Sequence, residues 1–287
     1  MTRLEEHAPA KLNLTLHVLG RRPDGYHELD SLVVFASCGD RLSLTPGPDL
    51  SVTTTGPFAT AITDGNLVTK AARLATQAAP GLTLGAFTLE KHLPVAAGLG
   101  GGSSDAAATL RLIRRANPHL ASSVDWPAIA TRCGADVPVC LLGMAARMQG
   151  LGERVTSVGP LPDLGCILVN PRVPLATADV FKALAAPPLH DLAGETDWPR
   201  DLSTPHAVIE YVRSGRNDLE VPARRLCPAI APVLERLRSA PGVIAARMSG
   251  SGPTCFGLTA TVNAAGQVAR SLSGSEPGWW VAAAALR

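Results

Sequence analysis

"AGLGGGSSDAAATLRLIRR", residues 97–115, sets four glycines and two serines in its first eight positions and then turns helical. Three readings compete for it. A Gly/Ser linker would be a flexible coil, but the flanks oppose that. An apolar strand, "FTLEKHL", ends at Leu93-Pro94, and a helix expected from about 103 to 116 follows at once, striped by Ala107, Leu110, Ile113 and Ala116. A dinucleotide fingerprint needs G-x-G-x-x-G with an acid about twenty positions on. Gly98 and Gly100 fit, but Ser103 takes the third glycine's place and Asp125 lies in "SSVDWP" rather than at a strand end. A Walker loop needs a lysine after the glycines, and none follows. What survives is the physics common to phosphate loops. Gly98, Gly100, Gly101 and Gly102 can take positive φ and bring N–H groups close to an anion. Ser103 or Ser104 can cap the helix, whose dipole attracts negative charge. The stretch predicts a cradle for a nucleoside triphosphate.

The rest of the chain bounds that reading. Its 287 residues suit two domains of ordinary size, with a boundary expected between 155 and 162, in the Gly- and Pro-rich stretch 150–165. Hydrophobic residues at 46% and charged residues at 17% fit a compact protein rather than a disordered one. A net charge of +2 points to neither nucleic acid nor a membrane surface. The six cysteines form no C-x-x-C pair and read as small buried hydrophobes, while the N-terminus lacks a signal peptide's apolar stretch. The expectation is a cytoplasmic protein.

The first ninety residues read as strands. "LNLTLHVLG" (12–20) alternates apolar and polar positions like a half-buried strand, and "LVVFAS" and "DRLSLTP" follow as hairpin strands. In that pattern Lys11 faces solvent by default. "NLVTKAARLATQAA" (66–79) changes to a helical period. Beyond the boundary, helices and strands alternate, and Trp279 and Trp280 read as strand packing. Arg111, Arg114 and Arg115 read as a solvated helix face that complements the dipole. Asp136, two residues before Pro138, reads locally as a helix cap. "DGYHEL" (24–29) reads locally as a turn with an amphipathic tyrosine on its shoulder.

Six separated motifs change the weight of those local readings. "APAKLNLTLHVLGRRPDGYHEL" (8–29), "DGNLVTKAA" (64–72), "EKHLPVAAGLGGGSSDAAATL" (90–110), "CGADVPV" (133–139), "GRNDLE" (215–220) and "MSGSGPTCFGL" (248–258) together resemble the GHMP kinases, in the family's order and nearly end to end. The resemblance implies a two-domain α+β fold, with residues 1–157 as N-terminal domain, 158–287 as a ferredoxin-like C-terminal domain, and the active site in the cleft between them. It implies ATP on the loop that Pro94, Val95, Ala96, Ala97 and Leu99 complete with the glycines, Ser103 and Ser104, and it brings Mg²⁺ with the phosphates. Asn66 and Lys91 match positions near the nucleotide, Lys11 and Asp136 the catalytic pair, and Asn13, Tyr26 and His27 the acceptor pocket. "SGSG" (249–252) matches a second glycine-rich loop.

More narrowly, the match is to the branch that phosphorylates a cytidine-diphosphate-linked methylerythritol in non-mevalonate isoprenoid synthesis. Small molecules are then the partners, with no nucleic acid or membrane, and the chain is a monomer or weak homodimer. Another small-alcohol kinase, for homoserine or mevalonate, is the nearest rival, and "DGYH" speaks against it because those acceptors carry no base to stack. A regulatory nucleotide-binding module is the rival from another class, opposed by the presence of both Lys11 and Asp136. One departure stands out: the family often writes Pro-Met-Gly-Gly-Gly-Leu-Gly, whereas Val95, Ala96 and Ala97 occupy the loop here. Both alanines are expected at negative φ, where an L-residue is unstrained.

Overall fold

The computed structural model describes residues 2–61, 66–189, 198–199 and 201–287. Asp64 and Gly65 of the second motif, and His190, lie outside these. The chain order opens with β1 (Leu4–Asn13), β2 (His17–Arg21), β3 (His27–Gly47), β4 (Ser51–Thr55), α1 (Leu67–Ala78), β5 (Leu84–Glu90) and α2 (Gly101–Ala116). It continues through α3 (Trp126–Cys133), α4 (Val137–Leu142), β6 (Ala146–Gly150), β7 (Arg154–Ser157), β8 (Gly165–Asn170), α5 (Thr177–Leu184) and α6 (Pro205–Ser214). It closes with α7 (Glu220–Leu226), α8 (Ile230–Ser239), β9 (Ala245–Met248), β10 (Cys255–Thr259), α9 (Val262–Ser275) and β11 (Trp280–Ala285).

By compactness these elements fall into two units. The first holds Met1–Ala10, Gly39–Val95 and Gly100–Gly143, and the second Lys11–Cys38, Ala96–Leu99 and Met144–Arg287. Both are discontinuous in sequence, and position 157 falls inside the second.

In the first unit β3 pairs antiparallel with β5, which pairs parallel with β4. Leu42 opposes Leu89 and Leu44 opposes Phe87, all four fully buried. Helices α1 to α4 pack among themselves, and α2 also meets β5. Leu110, Leu112 and Ile113 of α2 are fully buried, each contributing about 1.5–3 kcal/mol by leaving water. Arg111 is not a solvated residue: its guanidinium donates to the Glu6 carboxylate and to the carbonyls of His7 and Cys140. It ties α2 to β1 and α4.

The expected hairpin within 32–46 does not exist, because β3 runs unbroken through 21 residues. Gly39 marks a close approach rather than a turn: a Cβ there would lie 2.3 Å from the carbonyl oxygen of Ala8. The expected strand at 12–20 is broken between β1 and β2.

In the second unit β8, β9, β10 and β11 form an antiparallel sheet in the order β11-β8-β10-β9. With α9 between β10 and β11, this is the split-βαβ order. Helices α8 and α9 pack on it, and its core joins Ile167, Val169, Val233, Leu237 and Val268. Trp279 packs against that core.

Candidate active site

The loop at 94–104 begins behind β5. Pro94 is buried and Val95 is 41% exposed. Ala96 then adopts φ +51°, against the expectation for both alanines, while Ala97 is not among the residues at positive φ. The left-handed region costs a residue with a Cβ roughly 1–2 kcal/mol, so the surrounding loop must hold Ala96 there. Gly98 (φ +71°) and Gly100 (φ +60°) take the same region at little cost. Helix α2 starts at Gly101, two residues before the expected start, with Gly100 at its N-cap and no side chain capping it. Gly101 and Gly102 are therefore helical, and Ser103 and Ser104 lie inside the first turn instead of ahead of it. Ser104 Oγ donates to the carbonyl of Pro9 at 2.7 Å.

Some helices close their starts with side chains, whereas α4, α5, α7 and α8, like α2, do not. Asn66 Oδ1 accepts from the Val68 N–H, Asp125 from Ala128 and Thr204 from Ala207. At α2 the N–H groups of the first turn face no such cap, as an anion cradle requires.

Lys91 lies beside this turn and is buried. Its ammonium donates to Asp40 Oδ2 at 2.5 Å and to Asp105 Oδ2 at 2.6 Å. Burial alone would lower its pKa, but the two carboxylates outweigh it and hold the lysine charged. A Cβ on Gly101 would sit 3.2 Å from that ammonium. Asp40 and Asp105 are absent from the sequence-based site. Nothing local marks them: Asp40 stands beside Arg41, and Asp105 directly follows Ser103 and Ser104.

Asp136 is partly buried at the N-cap position of α4, with φ −85°, and makes no capping hydrogen bond. The local reading as a cap is therefore wrong, and its carboxylate does not serve the helix start.

In the second unit, Lys11 is buried rather than facing solvent, and so are Asn13, Thr15 and His17. Both faces of this segment are covered, which alternation cannot reveal. Lys11 Nζ donates to Asn13 Oδ1 at 2.8 Å, and the Lys11 N–H donates to the carbonyl of Leu99. Asn13 Nδ2 donates to Ser31 Oγ, and the Asn13 N–H reaches Ser249 Oγ. Ser249 Oγ in turn donates to the carbonyl of Gly98 at 3.0 Å. Lys11, Asn13, the tip of the first loop and the 249–252 loop thus form one hydrogen-bonded group. Asn217, from the "GRNDLE" motif, fixes its far side by donating to the carbonyls of Met248 and Gly250.

Tyr26 lies in the turn between β2 and β3, and His27 opens β3. Gly25 takes φ +87°, the Tyr26 N–H donates to Asp24 Oδ1, and the tyrosine is 64% exposed. The His27 ring stacks on Phe181 at 4.8 Å, a partner without a local sequence signal. Burial, with Arg21 nearby, pushes the His27 pKa down, so the imidazole is neutral near pH 7.

The family profile "GHMP kinases N terminal domain" matches residues 66–144, and "GHMP kinases C terminal" matches 205–276. The chain is 49% identical to a 4-diphosphocytidyl-2-C-methyl-D-erythritol kinase of Bradyrhizobium sp. (strain ORS 278), over 99% of this chain and 97% of the relative. It is 51% identical to the enzyme of that name from Rhodopseudomonas palustris (strain ATCC BAA-98 / CGA009), over 99% and 97%. A crystal structure of 4-(cytidine 5'-diphospho)-2C-methyl-D-erythritol kinase superposes with a TM-score of 0.75 at 34% identity, covering 99% of each chain. A homoserine kinase from Cytophaga hutchinsonii shares the fold at a TM-score of 0.67 and 18% identity. No helix among the described residues is long and apolar enough to cross a membrane. With a matching profile in each half and about half of all positions shared end to end, the chain belongs to the GHMP kinases, in the family of the 4-diphosphocytidyl-2-C-methyl-D-erythritol kinases.

Proposed function

We propose that the chain transfers the γ-phosphoryl group of ATP to the 2-hydroxyl of 4-diphosphocytidyl-2-C-methyl-D-erythritol and releases ADP. The observation that carries the reading is the full-length identity of about half with kinases of that name. Taken as sequence domains, 1–157 and 158–287 each contain one matched family profile whole.

Phosphoryl transfer asks a protein for positioning and charge stabilisation more than for covalent chemistry. The uncapped first turn of α2 and the left-handed Gly98 and Gly100 support a role for 94–104 as the phosphate cradle. Mg²⁺ comes as part of the nucleotide substrate, because this ion takes most of its ligands from phosphate oxygens and water.

In the reaction the acceptor's 2-hydroxyl oxygen bonds to the γ-phosphorus, and the bond from that phosphorus to the β–γ bridging oxygen breaks. The hydroxyl proton passes to Asp136, the carboxylate that the family resemblance matches to the catalytic pair with Lys11. Lys11 supplies a positive charge for the reacting oxygens, and its buried bond to Asn13 fixes the ammonium's direction. Tyr26 presents an open ring face for the cytosine, and a neutral His27 held by Phe181 can hydrogen-bond the base edge.

The test is ADP release measured over a panel of alcohols with and without a cytidine diphosphate group. The proposal requires turnover only when the cytidine diphosphate is attached. Equal turnover of homoserine or mevalonate would overturn it.

A further inference from the structure

The 94–104 loop owes its shape to what holds its two ends, and one side chain reaches both. Asp40, in β3, is completely buried. Its Oδ1 accepts from the N–H groups of His92 (2.6 Å) and Leu93 (2.8 Å), the residues just before Pro94. Its Oδ2 accepts from Lys91 Nζ, which also donates to Asp105 Oδ2 on the residue just after Ser104. Every bond in this chain is charge-assisted, the stronger class of hydrogen bond.

We infer that Asp40 is a positioning residue for nucleotide binding: through two backbone N–H groups and the Lys91–Asp105 bridge it clamps both ends of the glycine-rich loop. The inference rests on the reading of 94–104 as the ATP cradle. It assigns Lys91 to the loop rather than to direct contact with the nucleotide, since two carboxylates already hold its ammonium. It also explains Gly101, whose helical backbone gives no conformational reason for glycine. A Cβ there would press on the Lys91 ammonium at 3.2 Å and touch Asp40 Oδ2 at 3.6 Å.

The cluster has a charge imbalance that ties it to the loop rather than to general stability. One ammonium serves two carboxylates, and Asp105 Oδ1 has no hydrogen-bond partner. Burying such a group is unfavourable, so an arrangement serving packing alone would do better with one carboxylate. Asp105 sits on the helix that begins the cradle, where its bond to Lys91 sets the helix start relative to the strand end.

Calorimetric binding of a non-hydrolysable ATP analogue to the full chain tests this. Asp40→Asn keeps an oxygen for the two N–H groups but removes the charge that fixes Lys91. It should weaken the analogue about tenfold, the equivalent of one lost charge-assisted bond. The acceptor's KM should stay within about twofold, because Asp40, Lys91 and Asp105 hold the loop's two ends and not the Gly98 tip that Ser249 joins to Asn13. Lys91→Met should weaken the analogue similarly, Lys91→Arg should restore most of the affinity, and the Asp40→Asn/Lys91→Met pair should be no worse than either single change.

Additive losses, or weakening by Lys91→Met with none by Asp40→Asn, would overturn the clamp in favour of direct contact by Lys91. Should Asp40→Asn fail to fold, the Lys91→Met and Lys91→Arg pair decides: loss without rescue by arginine sinks the inference. Gly101→Val separates the underlying reading. If it leaves the analogue's affinity intact, the cradle assignment itself is wrong, whatever Asp40 does.

Discussion

The glycine-rich loops at 94–104 and 249–252 make the same demand on the backbone and meet it with different side chains. Each needs left-handed residues: Ala96, Gly98 and Gly100 in one, Gly250 and Gly252 in the other. The first is held by buried charges, Asp40, Lys91 and Asp105. The second is held mainly by neutral groups, with one carboxylate, Glu220, accepting from the Met248 N–H. Asn217 donates to the carbonyls of Met248 and Gly250, and Asn170 Nδ2 donates to Thr254 Oγ1. Charged bonds are stronger but leave their geometry dependent on protonation, whereas amide and hydroxyl bonds do not titrate. The first loop also opens a 16-residue helix with no side-chain cap. The loop that would meet phosphates is the one fixed by charge, and the loop beside it is fixed mainly by hydrogen bonds that do not titrate.

The largest expected effect leaves both loops in place. Asp136→Asn should cut turnover by roughly 10²-fold or more, the scale of losing a general base, while ATP affinity stays nearly unchanged. Near-normal turnover would show that neither loop works with this carboxylate. A pH profile of kcat that loses its acidic limb in the variant would identify Asp136 as a true base rather than an orienting group.

Next comes the place where the loops touch. A Cβ on Gly98 would lie 2.5 Å from the Ser249 carbonyl oxygen and 2.8 Å from Gly252 N. Gly98 also holds φ +71°, where alanine is strained. Gly98→Ala must therefore displace one loop from the other, and turnover should fall about 10²-fold, as misplacement near 1 Å does. If turnover and the KM of both substrates stay near wild type, the two loops do not depend on one another.

The sequence makes one of the loops far more legible than what holds it. The glycine run, the helix after it and the "SGSG" stretch are local patterns, and the sequence shows each of them, the helix start excepted by two residues. The turn at 24–29 is equally local, set by Asp24 and Gly25. The buried charges are not local: Asp40 and Lys91 are 51 positions apart, and Lys91 and Asp105 are 14. No window that sees one of them sees the reason for it. Lys11 fails differently, because a period of two reports a strand's two faces but not whether both are covered. Gly39 looks like a turn because strand glycines often are, and only the neighbouring backbone at Ala8 shows its purpose. Ser103 and Ser104 look like caps because serine usually caps, yet the helix begins two residues earlier on a left-handed glycine.

A smaller effect isolates the second loop. Asn217→Ala leaves the Met248 and Gly250 carbonyls without their donor in a buried place. The loss should be about 1–3 kcal/mol of stability, the cost of leaving a buried polar group unsatisfied. Because no titrating group is involved, chemical denaturation should give the same loss at pH 5 and pH 8. A loss that grows with pH would mean that the second loop also depends on a charged neighbour.

A graded effect concerns Asp105, and its sign separates the two loops. Burial raises the Asp105 carboxyl to about 7, with Lys91 opposing and the Asp40 carboxylate adding to the rise. In the unfolded chain an aspartate titrates near 3.9. Between those values the folded protein binds a proton that the unfolded chain has released, so stability falls as pH rises through the window and is lowest above about 7. Asp105→Asn removes the titration while Asp40 still pairs with Lys91. The variant should gain on wild type from pH 5 to about pH 7 by roughly 1.4 kcal/mol per pH unit, the worth of one pKa unit. Taking the difference between the two proteins cancels the histidines, which titrate in both. A constant difference across that range would mean that Lys91 keeps Asp105 ionised throughout, making the first loop's fastening as indifferent to pH as the second's.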